Sequence, residues 1–106
     1  NLILLSNLLH LITTPEAQTV VSEAAVALCP GGTLMFYGPF MRAGTLISEG
    51  DRTFDSELRA ADPLIGYKDE HDILNWLSQA GLVSAMTIEM PANNLTLISN
   101  HTPEAP

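Results

Sequence analysis

Basic residues are scarce: four Lys and Arg stand against twelve Asp and Glu, a formal charge of -8 over 106 residues. Nucleic acids and anionic membranes attract positive surfaces, so neither is expected as a partner. Cysteine is scarcer still. Cys29 stands alone, which excludes an internal disulfide framework and suits a reducing, cytoplasmic setting. No apolar run approaches the ~20 residues needed to span a bilayer; residues 2–12 come nearest, but Asn7 and His10 interrupt them and no basic region precedes them. Internal repeats and low-complexity tracts are absent. So is a G-x-G turn between a strand and a helix, because the glycines stand at 31, 32, 38, 44, 50, 66 and 81.

Within those limits, residues 28–40 are the most informative: Leu-Cys-Pro-Gly-Gly-Thr-Leu-Met-Phe-Tyr-Gly-Pro-Phe. Val20, Val21, Ala24, Ala25 and Leu28 recur at helical spacing before the turn, Gly31 and Gly32 can take the positive φ that ends a helix, and Thr33–Tyr37 reads as a buried strand. A helix feeding straight into such a strand implies a parallel sheet, with ligands outside the strand's carboxyl end, here Tyr37 to Phe40. Leu2–Ser6 is apolar on both faces, as a central parallel strand requires, and Thr14-Pro15-Glu16 supplies a cap, a first-turn proline and a first-turn acid.

Residues 41–66 are polar and uneven, an insert or lid with a short helix over Asp51–Ala60 that buries Phe54 and Leu58 and ends before Asp62-Pro63. Asp69 caps a further helix with Ile73, Leu74, Leu77 and Ala80 on its apolar face and Gly81 at its end. Leu82–Met90 and Leu95–Ser99 read as strands. The link between them, Pro91-Ala92-Asn93-Asn94, is short enough to force them antiparallel.

The Pro30-Gly31-Gly32 turn before an apolar strand resembles the turn before the fifth strand of class I S-adenosylmethionine-dependent methyltransferases. With it, in order, stand Tyr37-Gly38-Pro39-Phe40, Phe54-Asp55 with Leu58-Arg59, Asp62-Pro63, and Glu89-Met90-Pro91-Ala92-Asn93-Asn94-Leu95. Together these resemble the methyltransferase-like family first catalogued as a domain of unknown function and later named methyltransferase-like twenty-six, over about Leu2 to Ser99. The resemblance implies an α/β fold: a partial Rossmann-like methyltransferase sheet of about four strands, two parallel and then an antiparallel hairpin with its last strand inserted, with flanking helices. The implied spatial order is Leu2–Ser6, Thr33–Tyr37, Leu95–Ser99, Leu82–Met90, with one strand running against the rest. Only the second half of the family's domain is matched, since the glycine-rich turn and the acidic residue for the ribose are missing. The chain opens in mid-strand without a methionine, as though cut from a longer frame. The expected organisation is one truncated domain over 1–99, its insert at 41–66, and a flexible tail over 100–106.

Candidate site residues gather at the strand ends. Asn7 and His10 follow the first strand, where the resemblance places groups that contact the methionine end of the cofactor or the substrate; a histidine suits a general base near neutral pH. The alternative is that Asn7 caps the strand and His10 bonds to a neighbouring loop. Tyr37, Pro39 and Phe40 offer an aromatic wall for a cofactor or flat acceptor, or plain core. Asn93 and Asn94 reach the same edge if the strand order holds, though turn chemistry also explains them. Asp55 and Arg59 read as an i,i+4 surface pair. His71 with Asp69, Glu70 and Asp72 is no metal site, because consecutive helical residues diverge and the acids suit a helix N-terminus. Cys29 has no basic neighbour to activate it.

The first strand lacks an outer neighbour, and an unpaired apolar edge is adhesive. A homodimer is therefore expected, through this strand or the apolar surface beside it about a two-fold axis, or else a separate amino-terminal half. The cofactor implied by resemblance is S-adenosylmethionine. None is expected for the isolated chain, because the groups that hold it belong mainly to the missing half. The expected function is a methyltransferase-related half-domain, not catalytic alone, that supplies the acceptor side of a methyl-transfer site. The alternative is a non-enzymatic self-associating or small-molecule-binding module that reuses the same crevice.

Overall fold

Leu34 and Phe36, alternate residues of one strand, are 0% and 1% exposed and mark where the core lies. The computed structural model describes residues 1–102, apart from the side chain of Ser84. In chain order the elements are β1 (Leu2–Ser6), a 3-10 turn (Leu9–Leu11), α1 (Thr14–Ala27), β2 (Thr33–Pro39), α2 (Glu49–Ala61), α3 (Glu70–Gln79), β3 (Val83–Glu89), a second 3-10 turn (Pro91–Asn93) and β4 (Asn94–Asn100). The strands form one sheet in the order β1-β2-β4-β3. β1 and β2 are parallel, and β4 runs antiparallel to both of its neighbours. This is the α/β architecture and strand order implied by the methyltransferase resemblance.

Register divides the sheet into two unlike faces. Leu5, Phe36 and Leu97 lie abreast on one face, which packs with Val21 and Ala24 of α1 and Ile73 and Leu77 of α3. On the other face Leu4, Met35, Ile98 and Met86 lie abreast, and there Leu2, Leu4, Met86 and Ile88 are 63%, 57%, 54% and 41% exposed. Side chains alternate across a pleated strand, so apolar residues on both faces mark a sheet suited to cover on both sides. Both helices of the core lie on one side.

Local chemistry sets the element ends. Thr13, one residue before the expected Thr14, caps α1 and forms a reciprocal capping box with Glu16. After α1, Gly32 N–H donates to Cys29 O at 2.8 Å with Gly31 at φ +79°, a turn that needs glycine at its third position. Asp69 caps α3 through His71 N–H. The β3–β4 link turns on Ala92 and Asn93, at φ 59° and 61°, the left-handed pair whose twist suits a tight hairpin.

Two further features differ from the sequence reading. The residues that α2 buries are Asp51 and Asp55 rather than Phe54 and Leu58. The carboxylates turn inward because Tyr67 satisfies them, and Phe54 is left 38% exposed. Asn100 and His101, at the head of the expected tail, are tied down: Thr33 Oγ1 donates to Asn100 Oδ1 at 2.8 Å, and His101 exchanges backbone bonds with Gly31 and Gly32. Residues 103–106 of that stretch lie outside the described residues. Among the described residues, no helix is long and apolar enough to cross a membrane.

Candidate functional site

The parallel pair β1 and β2 ends side by side, and the chain leaves β1 through Asn7 in a left-handed conformation, φ 54°. Asparagine tolerates this at little cost. The Asn7 N–H donates to Tyr37 O at 2.8 Å, and its side chain remains exposed. Tyr37 is half-buried, and its hydroxyl accepts from Asn94 Nδ2 at 3.1 Å. Asn7, Tyr37 and Asn94 thus form a polar file across the strand ends. Pro39, paired with Asn94, is buried. Phe40 is 3% exposed and belongs to the core. Asn93 is exposed in the turn, and its carbonyl accepts from Arg42 Nη2 at 3.2 Å.

His10 stands apart from that file, in the 3-10 turn after β1, and is 6% exposed. Its ring meets Phe54 and Tyr67 edge-on, with centroids 5.6 and 6.1 Å away, and those two rings are themselves 6.1 Å apart. Burial, and secondarily the Lys68 charge, hold its pKa below the ordinary histidine value. A neutral imidazole at neutral pH follows, the form that accepts a proton.

The insert builds the socket around that ring. Asp51 Oδ1 accepts from the Tyr67 hydroxyl at 2.8 Å, and Asp55 Oδ1 accepts from the Tyr67 N–H at 2.8 Å. Arg59 Nε donates to Asp55 Oδ2 at 2.9 Å. The expected surface pair is therefore half-sunk, with the Asp55 side chain 10% exposed and that of Arg59 45%. Burial, then the Asp51 hydrogen bond and charge, push the Tyr67 phenol well above the ordinary tyrosine range. Tyr67, Lys68 and Asp51 escaped the sequence reading. The one available signal was the i,i+4 spacing of Asp51 and Asp55 beside Phe54.

Among the described residues, no group of three or more His, Cys, Asp and Glu stands where it could hold a metal ion. Asp69 instead accepts from the N–H groups of Gly44 and His71. Two open cavities, of about 200 and 320 Å³, lie on the helical layer, the first lined by Val21, Ser22 and Trp76 and the second by Ala25, Val26 and Leu82. Neither is lined by Asn7, Tyr37 or Asn94.

Over residues 1–101 the chain matches the family described as protein of unknown function (DUF938). It belongs to the DUF938 family. This DUF938 fold also matches solved O-methyltransferases. An O-methyltransferase family protein from Burkholderia thailandensis superposes with a TM-score of 0.85 at 19% identity, covering 98% of this chain and 31% of that one. An O-methyltransferase family 2 protein from Planctomyces limnophilus, solved with apigenin, gives 0.84 at 21% identity, covering 95% and 30%. Human N-acetylserotonin methyltransferase, solved with S-adenosylmethionine, gives 0.79 at 14% identity, covering 95% and 29%. At such identities the likeness is one of fold. The DUF938 chain spans about 30% of the length of these proteins and has the fold of part of a methyltransferase-like domain.

Proposed function

We propose that this chain supplies the acceptor side of an S-adenosylmethionine-dependent methyl-transfer site, with the cofactor side supplied by protein outside these 106 residues. The observation that carries the reading is His10: a buried imidazole just beyond the carboxyl end of a parallel strand, its ring against the partly exposed Phe54. There it would take the proton of an acceptor hydroxyl or amine as the methyl group arrives. Asn7, Tyr37 and Asn94 would orient the cofactor's methionine end or the acceptor from the strand ends. The resemblance to the methyltransferase-like twenty-six family supports the same assignment through Tyr37-Gly38-Pro39-Phe40 and Pro91-Ala92-Asn93-Asn94. The solved neighbours include proteins bound to S-adenosylmethionine and to S-adenosylhomocysteine (SAH), which makes S-adenosylmethionine the cofactor proposed. The single free cysteine suits a cytoplasmic setting.

The reading needs a cover for the outer edge of β1 and for the apolar face carrying Leu2, Leu4, Met86 and Ile88. An amino-terminal half of the same layer is one such cover. A second copy, paired through β1 about a two-fold axis, is the other, and the exposed face favours it as an alternative, non-enzymatic role. Each copy carries a formal charge of -8, which opposes self-pairing. A dimer built this way would therefore tighten as salt is added.

Methyl transfer by the full-length protein tests the proposal. His10→Ala is expected to lower kcat by about 10²–10⁴-fold while leaving S-adenosylmethionine affinity unchanged. A His10→Ala enzyme with wild-type kcat would remove His10 from the chemistry.

A further inference from the structure

Lys68 is 7% exposed, and its ammonium donates at 2.7 Å to Ile12 O and at 2.7 Å to Gly66 O. These carbonyls lie on two segments, just after the turn that carries His10 and at the end of the insert. Gly66 N–H donates in turn to His10 O at 3.1 Å, so the turn is gripped at His10 and two residues beyond it. The grip has a firm base. Lys68 O accepts from Met41 N–H at 2.9 Å, and the adjoining Tyr67 is fastened to α2 through Asp51 and Asp55. A cation so placed is costly to bury and is retained only where its hydrogen bonds are satisfied. A methionine stem would fill the same space, so what the ammonium adds is the bridge.

We propose that Lys68 is a positioning residue whose ammonium, by bridging the Ile12 and Gly66 carbonyls, fixes the His10 ring at its angle against Tyr67 and Phe54. The inference rests on the reading of His10 as the acceptor-side base and adds the residue that aims it. The groups around the imidazole are Phe54 of α2, Tyr67 and Lys68 of the insert's end, and, one contact further out, Asp51, Asp55 and Arg59. Of the charged ones, Lys68 opposes protonation of the ring.

Histidine-labelled NMR of the full-length protein tests this with Lys68→Met, which keeps the stem, and Lys68→Arg, which restores a cation with donors for both carbonyls. In Lys68→Met the His10–Tyr67 ring contacts should weaken and His10 should titrate at higher pH than in wild type. Lys68→Arg should return both toward wild type. Wild-type contacts and titration in Lys68→Met would overturn the proposal, as would a Lys68→Arg protein that behaves like Lys68→Met. Should Lys68→Met fail to fold, Lys68→Gln can hold only one carbonyl well, and the same two shifts are expected, their absence again overturning it. Absence of methyl transfer in the wild-type protein would defeat the functional reading while leaving these spectra to decide the role of Lys68.

Discussion

The Tyr67 hydroxyl donates a 2.8 Å hydrogen bond to Asp51 Oδ1, joining the end of the insert to the first turn of α2 across sixteen residues. Asp51 is 8% exposed and otherwise accepts at its side chain only from Ser48 among the described residues. Tyr67→Phe keeps the ring contacts with His10 and Phe54 but leaves that carboxylate oxygen unpaired. A loss of about 1–3 kcal/mol is expected, the usual range for an orphaned buried acceptor. Urea unfolding at pH 7 reads it as a lower midpoint at unchanged slope.

Gly66 makes a sharper test of the same network. At φ +127°, a Cβ there would lie 2.8 Å from Asp55 Oδ1 and 2.9 Å from Arg59 Cζ. Gly44, at φ +78°, has nothing within 4 Å of the equivalent position. Gly44→Ala should therefore cost only the backbone strain of a left-handed alanine, about 1–2 kcal/mol. Gly66→Ala should cost more by about 1–3 kcal/mol, because it also forces Asp55 or Arg59 to move. Equal midpoints for the two variants would mean that the Asp55–Arg59 pair yields freely.

Acid should weaken the fold through His10 first. Its folded pKa lies below the unfolded value of 6.5, so the unfolded chain takes up a proton that the folded one resists. Its contribution is fully present above 6.5 and is lost as pH falls through the folded value. Glu16, whose pKa the Thr13 hydrogen bonds lower, acts in the same sense but only below 4.5. His10→Gln should flatten the pH dependence of stability just below 6.5 and leave the more acid limb in place. Thermal melts across that range show whether the slope changes.

Ala92 sits in the left-handed region beside Asn93, where its Cβ is strained. Ala92→Gly relieves about 1–2 kcal/mol of strain and returns part of it through a freer unfolded chain. A net gain of about 0.5–1 kcal/mol is expected, seen as a higher midpoint. A decrease would show that Ala92 makes a contact worth more than its strain.

Much of the sheet was legible in the residues. Pro30-Gly31-Gly32 marks the entry to β2, Gly81 the end of α3 and Pro91-Ala92-Asn93-Asn94 the hairpin, whereas the place of β4 beside β2 was implied by the methyltransferase resemblance. The socket was not legible, because hydrophobic periodicity assigns Phe54 to the core and sees a carboxylate as surface. Asp51 and Asp55 are buried where Tyr67, sixteen and twelve residues away, donates to one oxygen of each. No local pattern announces a pairing over that distance. Lys68 was hidden for the same reason, its partners being the backbone carbonyls of Ile12 and Gly66. His10 could be placed at the strand end from its position alone, but its neutral state follows from burial and Lys68.

The central claim is that these residues hold the acceptor side of the site and leave the cofactor to another part of the protein. Calorimetric titration of S-adenosylmethionine tests it most directly, first into the 106-residue chain alone and then into the protein carrying the amino-terminal half. The account predicts no heat from the chain alone and saturable binding once that half is present. Micromolar binding of S-adenosylmethionine by the chain alone would contradict it.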